Sequence, residues 1–105
     1  MEKNIHDANL QAVAFLAKCL SDENRLRILL CVSKGKKPVS KIVDELNLSQ
    51  PLISHHLKEL RRSLLVSIER NGPFVYYEVT DIRIMEVLKK LDEIGATLLS
   101  VRKVF

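Results

Sequence analysis

The side chains best suited to chemistry lie together in SQPLISHHLKELRR, residues 49 to 62, which holds an amide, two hydroxyls, two adjacent imidazoles, a lysine and two arginines. Such a set makes hydrogen bonds and charge pairs rather than covalent bonds: glutamine and histidine suit base edges, and lysine and arginine suit phosphates. Elsewhere the chain shows no Gly-rich phosphate loop, no paired carboxylates with a plausible cleft, and no Cys-His or Ser-His-Asp set on an exposed face. The expectation is a binding protein and not an enzyme.

The stretch needs a helix to align it. Ser49 can cap the first free backbone N–H groups, and Pro51 is tolerated in a first turn. At about 100° per residue, Ile53, Leu57, Leu60 and Leu64 form one stripe, with Pro51, His55, Lys58 and Arg62 opposite and Gln50 and Ser54 near the N-terminal edge. Glu59 is the acid closest to that face. His55 falls on the outward side, whereas His56 is expected to be half-buried and bonded to neighbouring backbone. Upstream, PVSKIVDELN predicts a shorter helix with Ser40 as N-cap and Ile42, Val43 and Leu46 on its buried side. Asn47, Leu48 and Ser49 form the connection, giving a helix-turn-helix whose second helix enters a DNA major groove.

The remaining chain supplies support. Residues 4 to 20 read as a helix apolar on more than one face, through Ile5, Ala8, Val13, Phe15, Leu16, Cys19 and Leu20, which calls for partners on both sides. Ser21 and Asp22 break it and cap a helix from Glu23 to Ser33, ended by Gly35. Lys34, Lys36 and Lys37 then make a basic loop, fitting either a solvated loop or phosphate contact. Beyond the second helix the period shifts toward two: Leu65 to Arg70 and Phe74 to Thr80 read as strands with Asn71-Gly72 as the turn, a β-wing tipped by Arg70 and Asn71. Val66 and Ile68 against Val75, Tyr77 and Val79 are the candidate inward residues, and Tyr76 and Tyr77 alternate across the strand. A last helix from Thr80 or Asp81 to about Val104 carries Ile84, Leu88, Leu91, Gly95 and Leu98 at coiled-coil-like spacing. Gly95 in that seam suggests a closely approaching backbone. The fold class is mainly α with a small β-hairpin, α-α-α-α-β-β-α, as one domain over residues 1–105 that dimerises through its first and last helices. A dimer sets two recognition helices roughly 10 base pairs apart and selects an inverted repeat.

Composition agrees. Hydrophobic residues at 47% and charged residues at 29% describe a globular chain, and a net charge of +4 favours polyanions. No signal peptide or apolar run of roughly 20 residues is present, so the expected location is the cytoplasm.

The segments DENRLRILL, KIVDELNLSQPLISHHLKELRRSLLV and RNGPFVYYEV resemble the ArsR/SmtB family of winged-helix repressors from about residue 13 to residue 91. The resemblance implies dimeric, operator-binding repression relieved by an inducer or by thiol modification. Metal-responsive members often carry a Cys-Val-Cys box before the recognition helix, where this chain has KPVSKIV. Others place Asp and His ligands along the last helix, which here lacks histidine. No metal cofactor is therefore expected. Cys19 and Cys31 read mainly as buried small hydrophobes. A thiol switch between them, or a metal held by one of them with His6, is a minor alternative. The functional expectation is that Gln50, Ser54 and His55 read bases while Lys58, Arg61, Arg62, Lys36, Arg70 and Asn71 hold the backbone or groove edge. The rivals are a constitutive regulator without an inducer site and a winged-helix module that binds an acidic protein.

Overall fold

The computed structural model describes residues 7–102, in the order α1 (Asp7–Cys19), α2 (Glu23–Ser33), α3 (Val39–Leu46), α4 (Gln50–Arg62), β1 (Val66–Asn71), β2 (Phe74–Val79) and α5 (Arg83–Leu98), closed by a 3-10 turn at Leu99–Val101. This is the expected α-α-α-α-β-β-α winged helix-turn-helix. Ile5, His6 and Val104 lie outside the described residues. The last helix is shorter than its apolar spacing suggests, giving way to the 3-10 turn after Leu98.

The core belongs to the middle of the chain. Ile28, Leu29 and Val32 of α2, Ile42 of α3, and Ile53, Leu57 and Leu60 of α4 are buried together with Leu65 and Val66. Their spacing puts one apolar stripe of each helix on a common centre. Asp22 opens α2 by accepting from the Arg25 N–H at 3.1 Å, and Ser49 opens α4 by accepting from the Leu52 N–H at 3.3 Å. α3 begins two residues earlier than expected: Pro38, not Ser40, occupies the cap position, and the first turn has no side-chain cap. Asn47 ends α3 at φ +54, a left-handed geometry asparagine accommodates readily, so the turn to α4 is the three residues 47–49.

Leu64 departs from its predicted place on the buried stripe. It is 75% exposed at φ +64. The reason is the way α4 ends: the Leu64 N–H donates to the Arg61 carbonyl at 3.0 Å and the Leu65 N–H to the Leu60 carbonyl at 2.9 Å. That is a Schellman stop, with buried Leu60 and Leu65 as its apolar pair. Its left-handed position is normally glycine, and a side chain there costs about 1–2 kcal/mol.

The wing pairs antiparallel from Val66↔Val79 to Asn71↔Phe74. Asn71 is thus the last rung, and the turn is Gly72-Pro73 instead of Asn71-Gly72. Gly72 at φ +62 supplies the positive angle that the first turn position of a tight hairpin requires. Val66, Ile68, Val75, Tyr77 and Val79 share one face, as expected, and Phe74 and Tyr76 share the other with Glu69. The loop before α3 joins this sheet: Lys37 and Tyr77 exchange two backbone hydrogen bonds at 2.8 and 3.0 Å.

α1 and α5 are left largely uncovered. Leu10, Val13, Phe15 and Leu16 are between 40% and 55% exposed, and Val87, Leu91, Ile94 and Leu98 between 45% and 65%. In the coiled-coil-like seam of α5, Ile84 and Leu88 pack on the chain's own core while Leu91 and Leu98 do not. A Cβ added at Gly95 would meet nothing within 4 Å, so no backbone among the described residues makes the close approach its position suggests.

Candidate nucleic-acid interface

α4 brings Gln50, Ser54, His55, Lys58, Arg61 and Arg62 onto one exposed face, because Ile53, His56, Leu57 and Leu60 anchor the opposite side in the core. Gln50 stands in the first turn, where the uncapped N–H groups and the helix dipole add positive potential. Lys58 and Arg61 have no acidic partner among the described residues, whereas the Arg62 guanidinium lies 3.4 Å from the Glu59 carboxylate. Between this face and the wing runs a notch of about 520 Å³, lined by Ser54, Leu57, Lys58, Arg61, Arg62, Leu64 and Tyr77. At the wing tip Arg70 and Asn71 are exposed.

Lys36 is held differently from the other candidate cations. Its ammonium pairs with the Glu69 carboxylate of β1 and lies 5.6 Å from the centroid of Tyr76. The carboxylate raises the lysine's pKa, so Lys36 stays charged but is largely neutralised by its partner. Lys37 is not a free loop cation either. Its ammonium donates to the Cys31 carbonyl at 2.5 Å and lies 3.7 Å from Glu45. The basic loop is thus a latch between α2, α3 and the wing. Only Lys34, of the three, has no ion pair and no side-chain hydrogen bond among the described residues; its backbone N–H closes α2 on the Val32 carbonyl.

His55 lies outward as expected, whereas His56 is buried more deeply than the half-buried position expected and has other partners. His55 is exposed, its ring edge-on to His56 at 5.2 Å. His56 is 5% exposed and bonds to the Arg25 side chain of α2, not to neighbouring backbone. The Arg25 Nε–H donates to its Nδ1 at 3.3 Å, and its Nε2 lies 3.7 Å from Asp22. Burial pushes the imidazole pKa down, so the neutral ring is favoured. Sequence reasoning misses this pairing because its partners lie in another helix.

Cys31 is buried and donates its thiol proton to Glu45 at 2.9 Å. Burial, then the Glu45 acceptor, pushes its pKa from 9.0 to about 11. The same thiol bond, followed by the field of Lys37, lowers the Glu45 pKa. Cys19 is partly exposed and also free. Among the described residues no group of three or more His, Cys, Asp or Glu side chains is arranged to hold a metal, and His6 lies outside them. No helix among those residues is long and apolar enough to cross a membrane.

Residues 22–67, from the cap of α2 through the helix-turn-helix to the start of the wing, match the family described as bacterial regulatory protein, arsR family. The chain is 38% identical over 85 residues to an uncharacterized HTH-type transcriptional regulator of Methanocaldococcus jannaschii, covering 80% of this chain and 96% of that one. It is 33% identical over 79 residues to the HTH-type transcriptional repressor SmtB of Mycobacterium tuberculosis, covering 75% of this chain and 58% of SmtB. In three dimensions it is similar to NolR from Sinorhizobium fredii, with a TM-score of 0.75 at 27% identity over 89% of this chain and 96% of NolR. A relative aligned nearly end to end and a family match that spans α2, α3 and α4 place the chain in the ArsR/SmtB family, as a DNA-binding transcriptional regulator.

Proposed function

We propose that the protein is a cytoplasmic, non-enzymatic repressor that binds an inverted-repeat operator as a homodimer. The observation that carries this reading is the single exposed face of α4, where Gln50, Ser54 and His55 precede the cations Lys58, Arg61 and Arg62. Gln50 matches the N6/N7 edge of adenine, and Ser54 and His55 lie beside it to read neighbouring edges. Lys58, Arg61, Arg62 and Arg70 hold phosphates, with Asn71 at the groove edge and Lys36 in reserve behind Glu69. Dimerisation is supported by the uncovered apolar faces of α1 and α5 and by an apolar groove of about 650 Å³ bounded by Leu20, Leu26, Leu30 and Leu91. A radius of gyration of 15.6 Å also exceeds the ~13 Å of a compact domain this long. The protomer has the shape of half an assembly.

Control of DNA binding is proposed to run without a resident metal or a Cys19–Cys31 thiol switch. The proton held on Cys31 by Glu45 supports this, since the thiolate is the form that attacks or coordinates. Release by another signal and constitutive repression both fit that reading.

Fluorescence anisotropy with fragments of the upstream region of the gene, against random duplex at fixed salt, tests it. Gln50→Ala or His55→Ala is expected to lower the preference for operator, whereas Lys58→Ala weakens both duplexes alike and flattens the salt slope by about one unit. Binding to both that stays weak and sequence-blind in the unsubstituted protein would favour an acidic protein partner instead.

A further inference from the structure

We infer that the notch between α4 and the wing seats one sugar–phosphate strand of the duplex, with Leu64 packing on a deoxyribose while Lys58 and Arg61 hold the adjoining phosphates. The inference rests on the DNA-binding reading above and adds to it a residue and a contact.

Leu64 presents an apolar side chain that the fold does not use. It is 75% exposed between Leu60 and Leu65, which are 0% and 3% exposed, and it contributes nothing to the core. Its backbone sits at φ +64, where glycine meets no steric penalty and asparagine is tolerated better than leucine. The hydrogen bonds that stop α4 are the main-chain bonds of Leu64 and Leu65 and one from the Ser63 hydroxyl to the Leu60 carbonyl; none uses the Leu64 side chain, so glycine there would keep them. An unused side chain at a strained position points to function at that position.

Its surroundings name the ligand. The notch that Leu64 lines also holds Lys58 and Arg61, the two cations of α4 without an acidic partner among the described residues, together with Ser54 and Tyr77. Cations alone would serve a free phosphate. A basic notch with an apolar wall suits a polymer that alternates an anionic group with a nearly apolar ring, as a DNA strand does. Sugar contacts carry no base information, so Leu64 acts on affinity and leaves sequence preference alone.

The test uses the full chain, a fluorescein-labelled random duplex, an operator-bearing duplex and a salt series, with thermal unfolding measured beside binding. Leu64→Gly is expected to raise Tm by about 4–8 °C while weakening both duplexes by about 3- to 10-fold, with the operator-to-random ratio and the salt slope unchanged. Leu64→Asn should weaken binding in the same way. Leu64→Met, which keeps an apolar surface, should bind as the parent does. Lys58→Ala is the contrasting case, lowering the slope by about one unit. A Leu64→Gly protein that is more stable yet binds DNA as tightly as the parent overturns the inference. So does a changed operator-to-random ratio, or an equal loss of affinity for a poly-glutamate probe. If the parent binds no duplex at all, the proposed function falls together with this contact, and the parent measurement identifies that outcome.

Discussion

Arg25 and His56 join the two helices that carry and support the recognition surface: the Arg25 Nε–H donates to His56 Nδ1 at 3.3 Å. The acceptor nitrogen must be unprotonated, so the imidazole proton sits on Nε2, 3.7 Å from Asp22. Protonating the ring would replace an acceptor with a second donor facing a guanidinium. Burial, acting first, and then Arg25 and His55 lower the pKa, while Asp22 opposes them.

The pH dependence follows with a definite sign. The folded-state pKa lies below the ordinary value of 6.5, so the folded protein binds fewer protons at this site than the unfolded chain between the two values. The contribution to stability is present above pH 6.5 and is lost as pH falls through the folded pKa. Tm followed from pH 8 to pH 5 should fall over that range, and His56→Gln, whose amide can still accept from Arg25, should flatten the decline. The His56 ring resonance in NMR should titrate below pH 6.5. A midpoint above 6.5 would contradict the assignment.

Glu69 is predicted to restrain DNA affinity through Lys36. Glu69→Gln removes one acid from the wing and frees one cation, so random duplex should bind more tightly and the salt dependence should steepen by about one unit. The pair is exposed on both sides, with side chains 45% and 46% accessible, so Tm should hardly change. Unchanged affinity and slope would show that Lys36 points away from DNA.

The apolar exteriors of α1 and α5 can be broken without harming the core. Phe15→Asp and Leu98→Glu alter side chains that are 55% and 65% exposed. Each variant should keep its helix content and sediment as a 12.0 kDa monomer where the parent sediments at twice that mass. Loss of the second recognition helix should weaken inverted-repeat binding by about 100-fold. A parent that sediments as a monomer at micromolar concentration would refute the dimer.

Much of this architecture is legible locally. The bounds of α2, the connection Asn47-Leu48-Ser49, the Ser49 cap and the exposed face of α4 all follow from capping chemistry and a 3.6-residue period, which depend on near neighbours. What escapes is of two kinds. The partners of Lys36 and His56 stand 33 and 31 residues away, and helix packing, which no spacing encodes, decides those meetings. Leu64 is misplaced because the stripe is extended as if α4 continued, and leucine gives no sign of the left-handed turn that stops it. Ser40 is similarly outvoted: Pro38, with its fixed φ, starts α3 before the hydroxyl can cap it.

The paired hydrogen bonds between Lys37 and Tyr77 have a consequence for how any signal could reach DNA. They fasten the loop ahead of α3 to the middle of β2, and the Lys37 ammonium fastens the same loop to the end of α2. The reading head and its wing are therefore tied through one loop, and a signal that moved them apart would have to break these bonds. Loss of the Lys37 side chain would leave the two backbone bonds to Tyr77 as the remaining tie of this loop, so its position beside α2 is set by that one ammonium.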